Sequence, residues 1–84
     1  MIDRPLLSKR LQAAYEYLRS VGVVHTVTEF AEALGKTQPD ISKALACRGR
    51  VMTLGLLERV ADAFPDVLNR DYLLKGEGEL VKPD

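Results

Sequence analysis

The chain has 84 residues, enough for one domain and too few for two. It is 46% apolar and 29% charged, which marks a globular chain, and its 12 cations are balanced by 12 acidic residues, which excludes strong non-specific attraction to polyanions. No apolar run reaches the roughly 18 residues of a membrane span, MIDRPLLSKR carries no signal-peptide core, and a single cysteine excludes an internal disulfide, so a reduced, cytoplasmic protein with no membrane partner is expected.

Asp3 can cap a first helix with Pro5 near its start. Leu7, Leu11, Ala14, Tyr15 and Leu18 recur at helical spacing as one apolar stripe, with Lys9, Arg10, Gln12, Glu16 and Arg19 mostly off it. Tyr17 is off the stripe and reads as surface. The helix should end near Val21, with Gly22 as its C-cap. His25, the single histidine, reads as a solvated loop residue, with a phosphate contact as the alternative.

The next stretch, TVTEFAEALGKTQPDISKAL, carries the most information. It predicts two short helices, about 26–34 and 37–46, joined by a tight turn at Gly35. Thr26 and Glu29 have capping-box spacing, so Glu29 can reach back to the N-cap N–H. Thr37 caps the second helix, Pro39 is tolerated in its first turn, and Asp40 meets the positive end of the helix dipole. Gly35 can take a left-handed backbone and turn the chain sharply. Phe30, Leu34, Ile41 and Leu45 then face one core. Gln38, Pro39, Ser42, Lys43 and Ala46 point outward.

Cys47 reads as an inert thiol, and Gly49 as the end of that helix, flanked by Arg48 and Arg50. Thr53 caps a fourth helix over about 54–64, with Leu54, Leu57, Val60, Ala61 and Phe64 inward and Pro65 as the stop. Asn69 caps a short fifth helix from Arg70 to Lys75, and Gly76 follows it. Residues 77–84 read as a mobile tail, while Val51, Met52 and Leu80 read as exposed apolar residues free to meet a partner.

Charge is unevenly placed. Residues 20–35 hold only Glu29 and Glu32, giving −2, whereas residues 36–50 hold Lys36, Lys43, Arg48 and Arg50 against Asp40, giving +3. The local excess of cations falls on the second helix of the pair and the loop after it, where a phosphate backbone would feel it.

FAEALGKTQPDISKAL, TLGLLERVADAF and the ending DYLLKGEGEL, in this order, resemble the phage-repressor (XRE-type) family of helix-turn-helix domains over about residues 8–80. The resemblance implies an all-α, compact, lambda-repressor-like bundle of about five helices. The DNA-binding domain would cover residues 1–76. It implies a sequence-specific transcriptional regulator, a repressor that binds a palindromic operator on double-stranded DNA as a homodimer, with no cofactor, metal or catalytic residue. By position, Thr37, Gln38, Pro39, Ser42 and Lys43 fall on the family's base-contacting surface, and Thr26 and Thr28 at the helix start that sits on a phosphate. Lys36 is expected to add a DNA contact, and Arg48 and Arg50, in the basic loop after the helix, are candidates for phosphate contacts. Lys36 stands where an apolar residue is common, and Pro39 where a polar one is. Relatives often carry a further C-terminal domain for dimerisation. The alternative is a protein-interaction module such as an antitoxin of the same fold, with a toxin-like partner.

Overall fold

A computed structural model describes residues 4–48 and 52–81. The expected roles of Asp3, Gly49, Arg50 and Val51 lie outside these residues. Among the described residues the fold is all-α, a bundle of five helices: α1 (Arg4–Ser20), α2 (Val27–Leu34), α3 (Gln38–Leu45), α4 (Leu54–Ala63) and α5 (Arg70–Lys75). Its radius of gyration, 11.6 Å, matches the roughly 12 Å of a folded chain of this length.

The helix starts follow local chemistry. Thr26, Thr37, Thr53 and Asn69 each accept a backbone N–H with a side-chain oxygen, at Glu29, Asp40, Leu56 and Asp71 respectively. Each satisfies one of the donors that a helix N-terminus leaves unpaired. The capping box at α2 closes differently from the expected one. The Glu29 carboxylate reaches past Thr26 to accept the His25 backbone N–H at 3.1 Å, and its other oxygen lies 3.3 Å from His25 Nδ1. His25 is exposed, as expected of a loop residue, yet it is tied to this helix start.

The core is continuous. Phe30 is fully buried, and its ring lies 5.2 Å from Tyr15 and 6.2 Å from Phe64, so one aromatic row links α1, α2 and the end of α4. Leu7, Leu11, Ala14 and Leu18 supply the α1 stripe, and Ile41 and Ala44 the inner face of α3. Leu45 is only half-buried. At about 100° per residue it lies near the rim of that inner face.

Some expected assignments are corrected. Tyr17 is half-buried against the core rather than on the surface. Leu54 is exposed, and Leu56 completes the inner face of α4 in its place. With Leu57, Val60 and Ala61 defining the face, Leu54 is about 70° from its middle and Leu56 about 90° on the other side, so the neighbouring elements, and not the helical angle, decide which of the two is covered. Met52 is buried and Leu80 packs against the core, so neither is free for a partner. Residues 77–81 are not a loose tail. Asn69 donates its backbone N–H to Leu80 O and its amide to Glu79 O, both at 2.8 Å, and Leu68 pairs with Val81 in an isolated antiparallel bridge. Among the described residues, no helix is long and apolar enough to cross a membrane.

Candidate nucleic-acid interface

Helices α2 and α3 pack on one another through a three-residue connection, Gly35 to Thr37. Gly35 has φ +69°, and the Lys36 N–H returns to Ala31 O at 2.9 Å. This left-handed residue closes α2 and lets Thr37 open α3 at once. Arg59 of α4 adds a 3.4 Å hydrogen bond to Leu34 O, which fastens the end of α2 to the bundle.

Side chains from α1 hold the far end of α3. Ser8 is buried, and its hydroxyl lies 2.7 Å from Ala44 O and 3.1 Å from Leu45 O. The Gln12 amide donates to Leu45 O as well. These are carbonyls that a helix C-terminus leaves without an internal partner. The chain then turns through Cys47 at φ +56°, with Arg48 N–H bonded to Lys43 O at 2.7 Å. Helix α3 therefore ends at Leu45 with Ala46 as its C-cap, close to the expected bound at 46, and the left-handed residue that closes it is Cys47, ahead of the glycine expected to do so.

Anchored this way, α3 turns an open face outward. Gln38, Pro39 and Lys43 are exposed, and Ser42 is half-buried. At about 100° per residue these four span an arc of roughly 140°. Within it, Gln38 Nε2 donates to Ser42 Oγ at 2.8 Å. Lys36 and Thr37 are exposed just before the helix and Arg48 just after it. Among the described residues, neither ion pair (His25–Glu29 and Arg70–Asp62) involves Lys36, Lys43 or Arg48. Thr26 and Thr28 are exposed at the start of α2. Thus nine of the ten sequence-predicted site residues are described and lie on or beside these two helices; Arg50 lies outside the described residues. Ser8 and Gln12, which position α3, escaped the sequence reading. No local signal marks them, because their acceptors are 33 to 37 residues away.

A cleft of about 650 Å³ lies elsewhere, between the end of α2 and α4. Glu32, Glu58 and Asp62 line it with Arg59. The net negative lining of this cleft would repel a phosphate, whereas Lys36, Lys43 and Arg48 make the surroundings of the outer α3 face cationic.

No protein-family model, curated protein or solved structure matches the chain.

Proposed function

We propose that the chain is a sequence-specific DNA-binding regulator, a repressor that occupies a palindromic operator as a homodimer without a cofactor. One observation carries this reading. A helix pinned at its C-terminal end by α1 presents Gln38, Pro39, Ser42 and Lys43 outward, with cations at both ends. An α-helix of this kind fits the major groove, where base edges carry a distinct pattern of donors and acceptors. The capped start of α2 offers backbone N–H groups to a phosphate. Phosphate contacts then set the register, and α3 reads the bases.

Selection from a random duplex library at near-physiological salt tests it. An enriched inverted repeat with half-site centres about one helical turn apart is expected. An enriched single half-site would leave DNA recognition standing and overturn the homodimer. A folded protein that enriches no sequence would overturn the reading, and binding to a co-purified protein alone would favour an interaction module. Two variants divide the roles. Lys43→Ala should weaken all sequences alike and lower the slope of log affinity against log salt by about 0.9 if it contacts a phosphate. Gln38→Ala should relax preference at one base pair by about 1–3 kcal/mol. Titrations on the selected site and its single-base variants measure both.

A further inference from the structure

We infer that Ser42 orients the Gln38 amide so that α3 selects adenine over guanine at one base pair, an inference that rests on the DNA-binding reading above. The two residues are one helical turn apart on the exposed face of α3, and Gln38 Nε2 donates to Ser42 Oγ at 2.8 Å. A glutamine amide has two N–H donors on one end and a carbonyl acceptor on the other. If both ends are free to exchange, the side chain can present either donors or an acceptor to a base, and it discriminates poorly. Ser42 removes that freedom. One N–H of Gln38 is committed to the hydroxyl oxygen, which leaves the second N–H and Oε1 as an adjacent donor–acceptor pair.

That pair fits one purine. Adenine offers the N7 acceptor and the N6–H donor side by side in the major groove, whereas guanine offers two acceptors, N7 and O6. With the amide held, Oε1 meets a donor on adenine and an opposing lone pair on guanine. Ser42 is thus a positioning residue. It sharpens the reading of a base by Gln38 and contacts no base itself.

Ser42 has a second reason to hold its place. It is half-buried at the edge of the groove between α1 and α3 that Gln12, Tyr15 and Leu45 also line. Its hydroxyl is therefore less free to wander than that of a fully exposed serine, and it offers Gln38 a fixed acceptor.

The test measures wild type, Ser42→Ala, Ser42→Thr and Gln38→Ala on the selected site and on all single-base variants of it. Wild type should prefer adenine over guanine at one position by roughly 5- to 150-fold. Ser42→Ala should lower that ratio by roughly 2- to 10-fold, the scale of one hydrogen bond, while leaving preferences at other positions and the salt slope unchanged. Ser42→Thr keeps the hydroxyl and should restore the ratio. Gln38→Ala should abolish the preference at the same position, and adding Ser42→Ala to it should change nothing further there. Circular dichroism confirms that each variant is folded. If wild type selects no sequence, both the DNA reading and this inference fail. Three outcomes would leave the DNA reading intact and overturn the inference alone: a wild-type preference for guanine at the Gln38 position, a Ser42→Ala profile identical to wild type, or a Ser42→Ala change at a different base pair, which would make Ser42 a direct reader.

Discussion

Two helix ends in this chain share one hydrogen-bond pattern and differ in the residue that makes it. Helix α2 closes through Gly35 at φ +69°, with Lys36 N–H to Ala31 O at 2.9 Å and Gly35 N–H to Glu32 O at 3.1 Å. Helix α3 closes through Cys47 at φ +56°, with Arg48 N–H to Lys43 O at 2.7 Å and Cys47 N–H to Ala44 O at 3.1 Å. Both are the Schellman arrangement, in which a left-handed residue turns the last orphan carbonyls onto the chain that follows. Glycine enters that region without steric cost, whereas a residue with a Cβ is strained there. The α2 end is thus made by its own residue. The α3 end forms despite its own, and Ser8 and Gln12 supply bonds from α1 that help offset the cost.

The largest expected effect comes from removing the intrinsic advantage at α2. Gly35→Val puts a β-branched side chain at φ +69°. The cost should be about 2 kcal/mol, because left-handed backbone costs an L-residue roughly 1–2 kcal/mol and β-branching adds to it. The space itself is not the obstacle, since a Cβ there would meet Arg59 Nη1 at 3.5 Å, an ordinary contact. Urea unfolding followed by circular dichroism measures the loss. An unchanged midpoint would mean that the turn tolerates another backbone geometry and that the sharp α2–α3 junction is not fixed by Gly35.

Removing the tertiary support at α3 should cost less. Ser8→Ala deletes the buried hydroxyl that serves Ala44 O and Leu45 O. A lost buried hydrogen bond costs about 1–1.5 kcal/mol, and here Ala44 O keeps the Cys47 N–H while Leu45 O keeps the Gln12 amide. Hydrogen exchange should show the loss concentrated in the last turn of α3. If protection falls evenly over all five helices instead, the Ser8 contacts serve general packing and not this helix end.

The same contrast explains what could be read from the sequence. Thr26, Thr37, Thr53 and Asn69 were legible as caps because each acts on a backbone N–H two or three residues away. Gly35 was legible because its left-handed geometry is a property of glycine itself. The outward face of α3 followed from helical periodicity, and all of its members except the half-buried Ser42 are exposed. Cys47 gave no such signal, since cysteine has no preference for that backbone. Ser8 looked like one more polar residue beside an apolar stripe, and only the packing of α1 on α3 reveals its acceptors. The folding-back of residues 77–81 was hidden for the same reason. EGELV is polar and short, and its order comes from Asn69. The Gln38–Ser42 bond is intermediate. Its four-residue spacing was visible, but which partner donates depends on the side-chain geometry.

The smallest effect has the opposite sign and isolates the backbone term. Cys47→Gly should stabilise the protein by about 0.5–1 kcal/mol. Relief of the left-handed strain contributes roughly 1–2 kcal/mol, and the greater freedom of glycine in the unfolded chain takes back about 0.4–1 kcal/mol. Cys47 is exposed, so little packing is lost with its side chain. For a domain of this size the gain corresponds to a rise in Tm of about 2–8 °C. Cys47→Ala separates backbone from side chain, because alanine keeps the Cβ and hence the strain; it should leave Tm nearly unchanged. A rise for glycine alone assigns the effect to φ at residue 47. Equal rises for both variants would assign it to the thiol, and a fall for glycine would mean that the left-handed turn after α3 is not strained. In the first case the two helix ends are energetically distinct although geometrically alike, and the chain retains at Cys47 a strained turn directly beside Arg48 and the outward face of α3.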